Sequence, residues 1–323
     1  MSGHPMFKPF PLFSGCHLQT IAASFLTFYK NPASITRFIH LPDGESITLE
    51  ITTPKKWKPN HPTVMMIHGL CGSHRSIYLI RLANKFSKKG IRTIRVNLRG
   101  FGSSKGFAKK IYHSDSSEDI WAAVKEVKRD SPQSPLTLVG FSLGGNIALK
   151  LAGERGGEID KYVEKVIAIN PPIDMHRSAT LISQNRIYQA YFMKCLKEEV
   201  HFRHNYFVDL PPITIPSNMS LIEFDEFYMA PQSGFSSAKE YYLACSSGRS
   251  LPNITIPCQI LFAKDDPIVD CEIVESIPLP SNIEVLITDK GGHLGFLGTP
   301  GKKGGFYWMD SIILHWVSKK LEI

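Results

Sequence analysis

The sequence has little of what marks disulfide-stapled, membrane-spanning or zinc-dependent chains. Its six cysteines (Cys16, Cys71, Cys195, Cys245, Cys258, Cys271) are scattered, with no C-x-x-C pair and no other zinc-like spacing. They read as free thiols of a reducing compartment. No apolar run approaches the roughly 20 residues that a membrane span needs. The stretch Lys165–Asn170, among the longest, has only a short apolar centre. No charged n-region followed by an apolar h-region and a small-residue cleavage site opens the chain, so a secretory leader is not expected. Internal repeats and low-complexity tracts are also missing. Charged residues make up 20% of the chain against 43% hydrophobic, which excludes a disordered protein.

What is present is a 323-residue chain, enough for one large α/β domain or two small ones. The formal net charge is +8, with basic doublets at Lys55–Lys56, Lys88–Lys89, Lys109–Lys110, Lys302–Lys303 and Lys319–Lys320. They are spread out and lack interleaved aromatics, so a nucleic-acid partner is not expected. A solvated basic face fits better, with transient attraction to an anionic membrane surface as the alternative.

Residues 1–33 read as an N-terminal arm, rich in Pro and Phe, ending in a short helix over Leu18–Tyr29. Alternating residues over Ser34–Thr53, around the turn dipeptide Asp43–Gly44, predict a hairpin. Strand-like and helix-like stretches then alternate: strand Val64–Ile67, helix Ile77–Lys88, strand Ile91–Asn97, helix Ser117–Lys128, strand Leu136–Val139, helix Gly144–Gly153, strand Val166–Ile169. That order implies βαβ units and a mostly parallel sheet flanked by helices. It breaks over 171–247, an aromatic and basic stretch with helical pieces near Ala179–Glu199 and Ser237–Cys245. Strands resume at Gln259–Ala263 and Glu284–Thr288, and a helix over Phe306–Lys320 closes the chain. The predicted organisation is a core of 34–170 and 248–323 carrying a helical cap insertion, 171–247, before its last two strands.

The sharpest chemical signal is Gly140–Phe141–Ser142–Leu143–Gly144, set between a predicted strand and helix. A serine on so tight a turn has an exposed hydroxyl, and the helix start offers free N–H groups to an oxyanion. This is the nucleophile elbow of the α/β-hydrolase fold, and Ser142 is the expected nucleophile. A hydroxyl needs a base and an orienting carboxylate, which in this fold follow in the order Ser, Asp or Glu, His. His293, in Gly291–Gly292–His293 after the last strand, is the base; most other histidines precede Ser142 or fall in the insertion. Lys264–Asp265–Asp266–Pro267 follows a predicted strand, and Asp266 is favoured as the acid over its neighbour Asp265. The oxyanion donors are expected to be the amides of Leu143 and, from His68–Gly69–Leu70–Cys71–Gly72, of Leu70. His68 is read as a brace for that loop. Cys71, which lacks a base of its own, is not read as a nucleophile.

On these residues the chain resembles the YheT-like branch of the ABHD-type α/β hydrolases, bacterial relatives of eukaryotic phospholipases and acylglycerol lipases. The matching stretches are His17–Leu18–Gln19–Thr20, His68–Gly69–Leu70–Cys71–Gly72–Ser73, Asn97–Leu98–Arg99–Gly100, Tyr112–His113–Ser114, Gly140 to Asn146, Asp265–Asp266–Pro267 and Gly291–Gly292–His293. The arm motif is the most branch-specific. Asp115 departs from the glycine usual there, and 171–247 matches only through Phe224–Asp225–Glu226–Phe227 and Glu240–Tyr241–Tyr242. The resemblance implies a serine esterase or lipase-like enzyme without cofactor or metal, acting on small-molecule or lipid esters, and a cytoplasmic location for members without a membrane anchor. The expected reaction is cleavage of short- to medium-chain acyl or lipid-like esters through an acyl-enzyme. Alternatives are a thioesterase or amidase using the same residues, and a binding protein that has kept the fold without turnover. Tyr188, Tyr191, Phe192, Phe202, Tyr206 and Phe207 are candidates for an acyl-pocket wall. The arm packs either on its own domain or on a partner.

Overall fold

The computed structural model describes residues 6–26, 29–113, 116–300 and 305–319. Ser114, Asp115, the doublet Lys302–Lys303 and Lys320 lie outside the described residues. An eight-stranded sheet runs in the order β1-β2-β4-β3-β5-β6-β7-β8. Its strands are β1 (Ile35–His40), β2 (Ser46–Thr52), β3 (Thr63–Ile67), β4 (Arg92–Asn97), β5 (Leu136–Phe141), β6 (Lys165–Ile169), β7 (Cys258–Ala263) and β8 (Ile283–Thr288). Strands β3 to β8 are parallel, and only β2 runs against its neighbours. The expected hairpin is β1–β2, with Ile35 opposite Ile51 and His40 opposite Ser46.

The short apolar runs become strands because both sheet faces are covered. Every residue of β3, β5, β6 and β7 is buried, as parallel strands between helical layers must be. Alternate side chains feed opposite layers: Val64 and Met66 pack with α2 (Ile77–Lys88) and α10 (Trp308–Ser318). Met65 and Ile67 pack on the other side with α3 (Ser117–Asp130) and α4 (Leu143–Arg155). Helix α4 is buried from Leu143 to Gly153. It lies between the sheet and the segment around Ser250, against which Gly153 packs, and so has no solvent stripe.

Before these comes α1 (Cys16–Ala23), shorter than the sequence predicts and starting earlier. Between β6 and β7 stand α5 (Met175–Gln184), α6 (Arg186–Tyr206), α7 (Leu221–Phe224), α8 (Ala230–Gln232) and α9 (Ala238–Cys245). The single helical piece expected near Ala179–Glu199 is thus two helices. Asn185 separates them: its extended backbone ends α5, while its side chain caps α6 by accepting from the Ile187 and Tyr188 amides. Helix α6 buries Tyr188, Phe192, Leu196 and Val200, a stripe at four-residue spacing. Between α7 and α8 the backbone makes a π-helical turn, Asp225–Met229. Among the described residues no helix is long and apolar enough to cross a membrane, and no cluster of three potential metal ligands occurs.

Candidate active site

Ser142 sits at the junction of β5 and α4 with φ 51° and ψ −123°. A serine there costs roughly 1–3 kcal/mol of backbone strain, tolerated because the surroundings determine it. The Ser142 N–H donates to the Ile169 carbonyl on β6 at 2.8 Å, and the turn packs against β3. A methyl group at Gly144 would run into the Ile67 and His68 carbonyls, so this approach requires glycine. The G-x-S-x-G spacing is therefore a packing requirement as well as a motif.

His293 Nε2 lies 2.8 Å from Ser142 Oγ, and His293 Nδ1 lies 2.8 Å from Asp266 Oδ2. Asp266 is locked in place: its Oδ1 accepts from the Ile268 and Val269 amides at 2.8 and 3.1 Å, and its Oδ2 also accepts from Asn170 Nδ2. Asp265 points elsewhere, accepting the Gly292 N–H at 2.9 Å. The two adjacent carboxylates thus have separate positions, one on the imidazole and one on the loop that carries it. Asn170, at φ 44° just after β6, was not singled out by the sequence. Its signal would have been a polar residue closing the strand next to the one that carries Ser142.

The loop after β3 supplies the opposite wall. The Gly69 N–H donates to the Tyr78 hydroxyl at 3.1 Å and the Cys71 N–H to the Tyr112 hydroxyl at 2.8 Å. Between them the Leu70 amide has no hydrogen-bond partner among the described residues. The Leu143 amide is the first of α4 and has no intrahelical acceptor. Both residues border the same cavity as Ser142. His68 is fully buried; burial pushes its pKa down to about 4, so the ring is neutral at pH 7. Its Nδ1 lies 2.8 Å from the Gly69 carbonyl, and its Nε2 accepts the Leu98 N–H at 3.2 Å. Those two contacts fit the bracing role. Burial and the adjacent Cys195 thiol push the Cys71 thiol well up, which leaves it protonated.

The cavity beside Ser142 is mostly apolar, with Leu70, Met175, Ile182, Leu196 and Met229 among its walls. Of the six aromatics that are candidates for its wall, which as aromatics in a helical insertion fit plain core at least as well, Phe192 alone lines it. Tyr188, on the same stripe as Phe192, is engaged by His17 of the arm, and for Tyr191 helix geometry gives the reason. Phe192 and Leu196 share the inward face of α6, while Tyr191 lies about 100° round and is 61% exposed. Tyr206 is likewise exposed and stacks on Phe202. Asp225 and His113 interrupt the apolar lining.

The arm motif reaches this site from 273 residues away. Thr20 Oγ1 accepts the His293 N–H at 2.8 Å and donates to the Cys16 carbonyl at 2.8 Å. Gln19, fully buried, clamps Leu297: its Nε2 donates to the Leu297 carbonyl at 3.1 Å and its Oε1 accepts the Leu297 N–H at 2.6 Å. His17 Nδ1 lies 2.8 Å from the Tyr188 hydroxyl of α6. The described part of the arm packs on its own chain, against the histidine loop and α6.

Residues 62–199 match the α/β-hydrolase fold family. The chain is 28% identical to the putative esterase YheT of Escherichia coli (strain K12), over 98% of this chain and 94% of that protein. It is 24% identical to the mouse (Mus musculus) phospholipase ABHD3, over 86% of this chain and 70% of the relative. Among solved structures, an esterase from Exiguobacterium antarcticum superposes with a TM-score of 0.57 at 20% identity, covering 88% of this chain and all (100%) of that one.

Proposed function

We propose that the chain, similar over residues 62–199 to the α/β-hydrolase fold family and over most of its length to a putative esterase and a phospholipase, is a serine hydrolase cleaving carboxylic esters through an acyl-enzyme. The observation that carries this reading is the relay Ser142 Oγ, His293, Asp266, each link 2.8 Å, at a strained strand-to-helix turn. In the proposed reaction Ser142 Oγ attacks the ester carbonyl while His293 Nε2 takes its proton. Asp266 holds the imidazole through Nδ1–H and stabilises the imidazolium. The oxyanion of the tetrahedral intermediate accepts from the Leu70 and Leu143 amides, donors worth about 3 kcal/mol each in comparable sites. His293 then protonates the leaving alcohol. A water activated by the same imidazole releases the acid.

Residues 171–247 are proposed to act as the cap that closes the acyl cavity, since α5 and α6 supply Met175, Ile182, Phe192 and Leu196 to its wall. The substrates are proposed to be small-molecule or lipid esters with short to medium acyl chains. Contact with an anionic lipid surface is part of the proposal, supported by the +8 charge and by exposed Leu18, Ile21 and Phe25 along α1 and just beyond it.

The test is fluorophosphonate labelling of the native protein beside Ser142→Ala, read by intact mass, with a p-nitrophenyl ester chain-length series. One adduct lost in the variant, together with ester turnover, is expected. A folded native protein that neither labels nor turns over any ester would leave the binding-protein alternative standing.

A further inference from the structure

We propose that Asp225 forms a polar subsite in the cavity beside Ser142, selecting acyl groups that carry a hydroxyl or ketone on the chain. The identity of the ligand as an acyl group rests on the ester-hydrolase reading; the subsite itself rests on the cavity. Asp225 lies in Phe224–Asp225–Glu226–Phe227, a motif that neither the relay nor the oxyanion loop uses. It opens the π-helical turn Asp225–Met229, and such turns widen a helix by one residue, frequently at functional sites. The result is a carboxyl that is 7% exposed and lines the same cavity as Ser142.

One oxygen is spoken for. Asp225 Oδ2 accepts from the Tyr242 hydroxyl at 2.6 Å, which ties α9 to the turn. The other, Oδ1, has no hydrogen-bond partner among the described residues, and no described cation pairs with the carboxyl. A brace between the two segments needs a single acceptor; the second oxygen belongs to a side chain that lines the cavity together with Met175, Ala179 and Met229. Burying a polar atom without a partner is unfavourable, so an unsubstituted chain filling the cavity meets a penalty at this point. A hydroxyl or ketone removes it.

The charge state favours a neutral partner over an ammonium group. Burial pushes the Asp225 carboxyl up to about 7, so near neutral pH much of it is the acid, which both donates and accepts. A hydroxyl can meet either form, and a ketone can accept from the protonated one. Sites built around such a bond discriminate strongly against analogues that lack the substituent.

The experiment uses ethyl hexanoate and ethyl hexanoates bearing one oxo or hydroxyl group at successive positions from C3 to C6. Binding of the intact esters to Ser142→Ala protein is measured by calorimetry, and turnover is measured on the native enzyme. At least one substituted ester is expected to bind Ser142→Ala protein about tenfold or more tightly than the parent. Adding Asp225→Leu should erase that preference and tighten binding of the parent. Asp225→Asn, which keeps an acceptor for Tyr242, serves if the leucine variant misfolds; it should shrink the ketone and hydroxyl preferences unequally. Equal binding of all esters overturns the subsite, as does a proportional loss for every ester in both variants, which would make Asp225 a brace alone. Binding preference without turnover would keep the subsite and defeat the hydrolase reading. Turnover without preference would do the reverse.

Discussion

At the scale of single residues, Asp265 and Asp266 are adjacent in sequence and carry the same chemical group, yet the fold gives them different partners. Asp266 faces the imidazole, while Asp265 holds the Gly292 N–H. Asp266→Asn is expected to lower kcat about 10⁴-fold, because the amide reverses the hydrogen-bond polarity and disfavours the productive tautomer. Asp265→Asn keeps an acceptor for Gly292, so its loss should be no more than about tenfold. Comparable losses from both would place the acid elsewhere. The chain order Ser, Asp, His and the elbow spacing single out Ser142 and His293 as candidates in the sequence, and the structure brings the two side chains within 2.8 Å. The choice between two neighbouring carboxylates was only a preference, since it depends on how the loop after β7 turns. A pH test belongs here too. The Asp225 carboxyl, raised by burial from 3.8 to about 7, binds its proton more tightly when folded. Its contribution to stability is therefore fully present below pH 3.8 and lost as pH rises through about 7, a difference of a few kcal/mol. His113, Tyr241 and Tyr242 stand near it and Glu199 titrates in the same range, so the readout is a difference. Urea unfolding at pH 5 and pH 8 should show a larger drop for native protein than for Asp225→Asn. Parallel drops would contradict it.

At the scale of elements, α1 acts on a loop that follows the last strand. Two of its side chains hold that loop by its backbone: Thr20 at the His293 amide and Gln19 at Leu297. The fit is tight, with no room for a side chain at Gly292, whose φ is 58°, against the Cys16 carbonyl and Thr20. Thr20→Val removes the acceptor without changing shape and leaves the buried His293 amide unpaired. Such a loss is typically about 1–3 kcal/mol. The expectation is a fall in kcat of at least about tenfold with KM little changed, and slower fluorophosphonate labelling of Ser142. Thr20→Ser should restore both. Unchanged labelling in a folded Thr20→Val protein would mean that the loop stands without the arm. The sequence marked His17–Thr20 as distinctive but offered no physical reason, because periodicity and propensity report on neighbours along the chain. A contact spanning 273 residues leaves no trace in either. The sheet was legible for the opposite reason: each βαβ unit is local, and its period switches from 2 to 3.6 within about thirty residues.

At the scale of the molecule, two apolar faces meet beside the proposed catalytic loop. The His17–Tyr188 contact joins α1 to the start of α6, and both present large apolar side chains outward. Leu18, Ile21 and Phe25 are 54%, 38% and 77% exposed, and Ile187 and Tyr191 are 66% and 61% exposed. Around them is a chain of net charge +8. Apolar side chains on a basic protein are the combination that binds interfacial lipid weakly and reversibly, by buried area plus attraction to anionic headgroups. Both contributions can be separated. Binding to phosphatidylglycerol vesicles, read by co-sedimentation, should exceed binding to phosphatidylcholine vesicles at about 0.1 M salt, where the screening length is about 10 Å. That excess should vanish near 1 M, where it is about 3 Å. Phe25→Glu with Ile187→Glu should weaken binding to both vesicle types, since it removes apolar contact, and should leave hydrolysis of a water-soluble ester at its native rate. Vesicle binding that ignores these substitutions but follows salt would assign the attraction to the scattered lysines, with the face around α1 playing no part. No binding at 0.1 M would leave substrate reaching the cavity from solution.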